Sequence, residues 1–426
     1  MQPNRDHTLN RREVLTAAIA FAGFRNDTLR RVASLLRDAP DPNDDRFWEE
    51  LRGRFSISDE FLCFNNAGLS PSPSVVQSTL RAEQARADGN PSMVVYRRQS
   101  REVDKVRERL SKLIGCASSE LALVPNTTYG LHTAIMGVQV PPGKQIVVTT
   151  HEYARTKAAV IQRKTREGVA WSELPVSEDR AEMARALPTD LALGVFSSIT
   201  YLNGSVLPVP QLCERVKALG GLSLIDGAQS IGILPQDVQQ MGCDMYAACL
   251  HKWIMGPVGT GIFYVRHDKI PDIFALHPCE PGSERIIQKF EHFGTRPYAP
   301  VLAVDEALDF HEMLGQENKL NRIRALRKVL AEGLQDSPNI KLYGNPNEAG
   351  TDIVLTVGIA GMKGSALALQ LQNEARIHVS PVSKAGIEGV RLSPTIFTTQ
   401  SECTTVCQAI SAIAKGSGAL NTSTNL

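Results

Sequence analysis

Two rhythms of apolar positions alternate along the chain. Short, nearly continuous apolar runs lie at residues 121–124, 145–149, 191–196, 222–225, 245–249 and 261–265. Runs of this length without a polar alternation read as strands covered on both faces, and the longer segments between them have room for helical crossovers. The expected core is therefore a mostly parallel sheet with helices on both sides. Over 101–115 the period changes: Val103, Val106, Leu110, Leu113 and Ile114 recur at helical spacing and stop at Gly115, which predicts an amphipathic helix with a glycine end, its apolar face against the sheet. Ahead of it, residues 61–64 form a short strand that runs into the turn formers Asn65, Asn66 and Gly68, with Pro71 and Pro73 behind them. Beyond about residue 311 the pattern becomes a helix over 318–334, strands near 352–357, 377–380 and 390–393, and a closing helix over 400–415.

A chain of 426 residues is too long for one simple core. The expected organisation is a segment over 27–75 that joins the smaller domain, a large α/β domain over 76–310, a small C-terminal α+β domain over 311–415 and a flexible polar tail over 416–426. Residues 1–26 hold Arg11-Arg12, a mild apolar stretch and Ala20-Phe21-Ala22, the pattern of a twin-arginine export signal and equally of an amphipathic N-terminal helix. The first reading sends the protein to the periplasm; the second leaves it in the cytoplasm. A net charge of +1 offers no concentrated basic face, which argues against nucleic acid and membrane surfaces as partners, and no apolar run reaches bilayer length. The 8 cysteines make no CxxC pair and no His/Cys cluster, so neither a disulfide framework nor a metal site is expected.

In a parallel sheet with helical crossovers, ligands bind beyond the carboxyl ends of the strands, so the residues that follow each strand should share one site. After the first strand come Asn126-Thr127-Thr128-Tyr129-Gly130 at a helix start, where free N–H groups, hydroxyls and the helix dipole can cradle a phosphate. After the second come His151 and Tyr153, either of which can stack on a flat ring, with Tyr153 preferred. Asp226 leaves a buried strand beside small residues, a costly position for a carboxylate unless it meets a cation such as a pyridinium N–H. Lys252 follows the fifth strand and precedes the glycine-rich run 256–261. One lysine among 46 Lys plus Arg is no signal alone. An amine for a Schiff base, an acid for a ring nitrogen, a stacking ring and a phosphate cradle at one end of one sheet together fit pyridoxal 5'-phosphate.

The motifs NNAGLSP (65–71), NTTYG (126–130), HEY (151–153), NGSVLPV (203–209), LIDGAQSIG (224–232), HKW with GPVGTG (251–261), FGTR (293–296) and RLSP (391–394) together resemble the class V aminotransferase family, in its isopenicillin N epimerase-like branch, over about residues 55–415. The resemblance implies a fold type I pyridoxal phosphate enzyme, with a mainly parallel seven-stranded-type sheet in the large domain, working as a homodimer on a small amino acid or amine. It implies Lys252 as the Schiff-base lysine, Asp226 on the pyridine nitrogen, Gln229 on the ring oxygen, and Thr127, Thr128 and His251 on the phosphate. It further implies that Thr295 reaches the partner subunit's phosphate, that Arg391 clamps a substrate carboxylate with its planar fork, and that Asn66 lies near the substrate. Tyr201 stands where the family often has Ser or Asn, which leaves Asn203 as the alternative donor to the ring oxygen. Cys249 replaces a polar phosphate ligand, and Pro297 follows GTR where the branch commonly has Asp.

The expected activity is chemistry at Cα of an amino acid or amine, of aminotransferase or epimerase type, with a C–S or β-elimination lyase as the alternative. From another class stands a catalytically silent binding protein, against which the retained pair of Lys252 and Asp226 speaks. A desulfurase using a mobile nucleophilic cysteine is disfavoured, because residues 376–391 contain none, although Cys279 lies in another loop.

Overall fold

The computed structural model describes residues 40–177, 179–344 and 353–416. The N-terminal signal or helix over 1–26 and nearly all of the tail lie outside the described residues.

The chain enters through α1 (Asp45–Arg52) and the two-residue strand β1 (Leu62–Cys63), then α2 (Ser74–Gly89) and α3 (Ser100–Leu113). A large sheet follows, with β2 (Leu121–Val124), β3 (Gln145–Thr149), β4 (Ala170–Leu174), β5 (Leu191–Ser197), β6 (Leu222–Asp226), β7 (Met245–Cys249) and β8 (Gly261–Val265). Between the strands run α4 (Thr127–Gly137), α5 (Ala154–Glu167) and α6 (Val209–Ala218). The order across this 7-stranded sheet is β2-β8-β7-β6-β5-β3-β4, and β8 alone runs against its neighbours. The expected mainly parallel α/β sheet is thus present, and the apolar runs locate six of its strands. The seventh, β4, has no apolar run: it is the outer strand beside β3, and only Leu174 of its residues is buried.

Alternation along each strand separates two cores. On β7, Tyr246 and Ala248 face one and Met245 and Ala247 the other; on β8, Ile262 and Tyr264 oppose Phe263 and Val265. Both faces are buried, which is why these strands are apolar throughout. The face with Tyr246 is closed by Val103, Val106 and Leu110 of α3, and the opposite face by Leu131, Ala134 and Ile135 of α4. Each of the Val, Leu and Ile side chains among these contributes about 1.5–3 kcal/mol on burial. The outer edge of β2 is sealed by side chains: Arg107 donates to the Leu121 carbonyl, Glu291 accepts from the Leu123 N–H, and Arg296 donates to the Leu123 carbonyl, at 2.9, 2.8 and 2.7 Å.

After α7 (Val304–Leu314), α8 (Gln316–Leu334) leads to a 4-stranded antiparallel sheet of β9 (Ile340–Tyr343), β10 (Leu355–Ile359), β12 (Ser380–Lys384) and β13 (Ile387–Leu392) in the order β12-β13-β10-β9. α9 (Gly364–Ala375) packs on this sheet, and α10 (Gln400–Ala414) packs against α8 and α9. Strand β11 (Ile377–His378) pairs in parallel with β1 and ties the N-terminal segment to this part of the fold. α8 belongs to both halves: Leu320 and Ile323 lie in a large-sheet core, Leu326, Leu330 and Leu334 in the small-domain core.

Candidate active site

The carboxyl ends of the parallel strands open onto a cavity of about 390 Å³ whose far wall is the four-stranded sheet, through Ser380 of β12 and Arg391 of β13. Asp226 ends β6. Lys252 stands three residues past β7, its direct neighbour in the sheet, in a turn held by Gly256 N–H donating to the Leu250 carbonyl (2.8 Å). Met255 takes a positive φ of 61° to close that turn. Residue 227 must be glycine for a spatial reason: a Cβ there would run into the Tyr246 ring. Among the described residues the Lys252 amine has no hydrogen-bond partner.

Four features fit a pyridine ring carrying a phosphate. Asp226 is buried, and its Oδ1 accepts from the Ala228 N–H (2.9 Å), leaving Oδ2 for a ring N–H. Burial raises its carboxyl above the usual range, opposed by the Ala228 N–H and the Lys252 charge. At the start of α4, Asn126 caps through its side chain on Tyr129 N (2.9 Å), and the first-turn N–H groups of Thr127 and Thr128 point past it without helical partners. Thr127 Oγ1 is buried with no hydrogen-bond partner, as is Nδ1 of His251 on the same cavity wall. Burial, assisted by Lys252, pushes His251 down to about 4, so at neutral pH it is an uncharged donor. Unpartnered donors beside a helix N-terminus, with Lys252 on the same wall, suit an anionic group.

On the other side, Arg391 is 5 % exposed. Its Nη1 donates to the Tyr201 carbonyl (3.0 Å) and its Nη2 to Asn65 Oδ1 (2.9 Å), its Nε has no partner, and no described carboxylate pairs with it. Burial pulls it down to about 10, opposed by Tyr201 and Tyr153, and it stays cationic at neutral pH. A buried unpaired guanidinium is an expensive feature that an incoming carboxylate relieves.

The residues expected from the sequence divide. Lys252, Asp226, Gln229, Thr127, Thr128, His251, Tyr153 and Arg391 all line the cavity. Tyr153 rather than His151 stands on the wall, 43 % exposed and edge-on to Tyr201 at 5.3 Å. Gln229 bridges two elements, its Nε2 donating to the Ala67 carbonyl (2.9 Å) and its Oε1 accepting from Trp253 Nε1 (3.2 Å). Asn66 is a correction. Its amide turns inward and donates to the carbonyls of Cys63 (3.1 Å) and Ser393 (3.0 Å), and the side chain that faces the cavity is Asn65. Strand parity holds the signal: Phe64 is fully buried, so residue 66 points the same way and residue 65 the other. Asn203 is a second correction. It is not among the residues that line the cavity, and its Oδ1 accepts from Thr200 Oγ1 and Ser205 Oγ, at 2.6 and 3.0 Å, within its own loop. Thr295 lies outside its own chain's cavity, exposed, with Oγ1 2.9 Å from Tyr96 Oη.

The family profile of the class-V aminotransferases matches residues 62–404. The chain belongs to the class V aminotransferase family. Members of this family are pyridoxal-phosphate-dependent enzymes, in keeping with the cradle described above. The chain is similar to isopenicillin N epimerase of Streptomyces clavuligerus, 25% identical over 395 residues that cover 86% of this chain and 98% of that protein. A cysteine desulfurase of Pectobacterium atrosepticum is 29% identical over 264 residues, 57% of this chain and 64% of that protein. In fold, the class V chain resembles a cystine C–S lyase solved with its product cysteine persulfide, at a TM-score of 0.74 and 21% identity over 83% of this chain and 98% of that one. The cysteine desulfurase of Thermococcus onnurineus NA1 gives the same TM-score, 0.74, at 20% identity over 86% of this chain and 98% of that one.

One residue behind the cavity escaped sequence reading. Glu152 is fully buried and accepts from Thr149 Oγ1 (2.8 Å), Ser197 N–H (2.8 Å) and Ser197 Oγ (2.7 Å). Burial, with the neighbouring Asp226 charge, raises it to about 7 against the three donors. Its folded pKa exceeds its unfolded one, so the folded state holds more protons between about pH 4.5 and 7 and stability falls as pH rises through that window. In cofactor-free protein, Glu152→Gln is expected to be as stable as wild type near pH 4.5 and more stable from pH 7 upward, by about 3 kcal/mol. Urea unfolding across pH measures this; a constant gap would remove the buried-charge account.

Proposed function

We propose that this class V enzyme acts at Cα of an amino acid bearing a free α-carboxylate, by epimerisation or transamination. The observation that carries the reading is the placement of Lys252, Asp226 and the unpaired Arg391 around a single cavity. Pyridoxal phosphate supplies a carbonyl for amines and a ring that accepts electrons released at Cα. The chain does the rest. The α4 N-terminus, Thr127, Thr128 and His251 hold the phosphate, Tyr153 covers a ring face, and Asp226 keeps the proton on the ring nitrogen. Arg391, braced by Asn65 and the Tyr201 carbonyl, holds the carboxylate and so fixes which Cα bond stands in line for cleavage. Lys252 Nζ takes the Cα proton and returns it.

Working as a homodimer belongs to the same reading. Supporting it are exposed apolar side chains at Met93, Tyr96 and Phe274, and the outward position of Thr295, where it can reach a partner's phosphate. A lyase cleaving an existing C–S bond is the second reading, favoured by the desulfurase relative. A desulfurase with its own nucleophilic thiol is not: the thiol on the cavity wall is Cys249, buried against the Ala228 carbonyl at the foot of the site.

An amino acid panel in deuterated water decides between these. Deuterium at Cα without keto acid marks epimerisation, keto acid with an aminated cofactor marks transamination, and pyruvate with ammonia marks elimination. Absence of all three across the panel would leave the silent binding protein. Arg391→Leu is expected to lower kcat/KM for α-carboxylate substrates about 10²–10³-fold, mostly through KM, and to leave an amine lacking the carboxylate unaffected. Equal losses for both would place the carboxylate elsewhere.

A further inference from the structure

Behind the Lys252 turn lies a buried lysine that the chemistry above does not use. Lys319, on the first turns of α8, is 2 % exposed, and its Nζ donates to the carbonyl of Trp253, the residue after Lys252, at 2.6 Å. No described carboxylate pairs with it. The titratable group that faces it is His311 of α7, 4 % exposed, with Nδ1 unpartnered. Burial alone pushes Lys319 down to about 7, and burial with Lys319 pushes His311 far below its usual range, so the imidazole offers no counter-charge. As a packing device this is a poor choice, because an apolar side chain of similar length would fill the space without desolvating an amine. What the lysine does achieve is directional. The Trp253 carbonyl lies one residue past Lys252 in the same turn, and the Trp253 indole donates to Gln229, which in turn donates to the Ala67 carbonyl of the cavity loop. One amine on a helix shared by both cores thus holds the hub from which Lys252, Gln229 and the 65–70 loop are aimed.

We propose that Lys319 is a positioning residue for Lys252, acting through the Trp253 carbonyl to fix the turn that presents the Lys252 amine to the cofactor. The inference rests on the reading of Lys252 as the cofactor's lysine. A colourless wild-type protein that takes up no pyridoxal phosphate would sink that reading first, whereas unaltered variants sink only this one.

The test uses the holoenzyme and follows two quantities: the pH midpoint of the cofactor's absorbance change, and kcat apart from KM. Lys319→Met keeps the packing and removes the donor. It is expected to shift the midpoint by about one pH unit and to lower kcat about tenfold at unchanged KM. Lys319→Gln keeps an N–H donor on a shorter side chain and should show a smaller change in the same direction; if Lys319→Met does not fold as holoenzyme, the Gln variant decides. Ile323→Val, one turn along α8 in the same core, loosens packing without touching the Trp253 carbonyl and should lower the melting temperature while midpoint and kcat stay put. Wild-type midpoint and kcat in the Lys319 variants overturn the proposal. So does an equal shift in Ile323→Val at matched loss of melting temperature, which would reduce Lys319 to a stability role.

Discussion

In Lys252→Ala, turnover is expected to fall by about four orders of magnitude or more while the protein still folds and takes up pyridoxal phosphate. On the proposed reading two functions leave together, the amine that anchors the cofactor carbonyl and the base that moves the Cα proton, and base catalysis alone contributes about 10²–10⁴-fold. Folding should survive, because the side chain is only part-buried and makes no hydrogen bond to described residues. The α4 N-terminus, Thr127 and His251 remain to hold the phosphate. Borohydride reduction followed by proteolysis makes the result specific. In wild type the cofactor should be fixed on the peptide carrying Lys252, and in the variant on none; a label on any other lysine moves the anchor.

Asp226→Ala should lower kcat about 10²–10³-fold and weaken cofactor retention, the scale seen when one preorganised electrostatic partner is removed from a developing charge. The physical basis is one-sided. Asp226 is buried, one oxygen is satisfied by the Ala228 N–H, and no described residue donates to the other. Removing the carboxylate relieves the protein of a desolvated charge, so the variant is expected to be at least as stable as wild type without cofactor and weaker with it. Thermal denaturation with and without pyridoxal phosphate, beside the rate, separates the two. Unchanged activity would take the ring nitrogen away from Asp226.

Much of this site could be read from sequence because parallel strands force it: whatever follows their carboxyl ends converges, and Thr127, Tyr153, Asp226 and Lys252 each follow an apolar run. What parity and burial decide was harder to read. Asn65 and Asn66 are the same residue type one position apart, and only the buried Phe64 tells which faces the cavity. Asn203 has the right chemistry but lies off the cavity wall, its oxygen held within its own loop. β4 and β9 have no apolar run to announce them, since both lie at sheet edges and are only partly buried. Glu152 and Lys319 sit where single-sequence patterns expect apolar residues, and such local violations of the packing rule gather around functional sites.

The sheet order carries a last implication, about when the site can exist during synthesis. The order β2-β8-β7 means that Leu121–Val124 has no strand to pair with until Gly261–Val265 has been made, and its outer edge stays open until Glu291 and Arg296 arrive. α4, whose first turn is the proposed phosphate cradle, hangs directly from that waiting strand. A growing chain therefore carries an unpaired apolar edge through most of the large domain, the stage most exposed to aggregation on a ribosome. The seven-stranded sheet, and with it the set of strand ends that lines the cavity, is complete only once β8 has slotted in between β2 and β7.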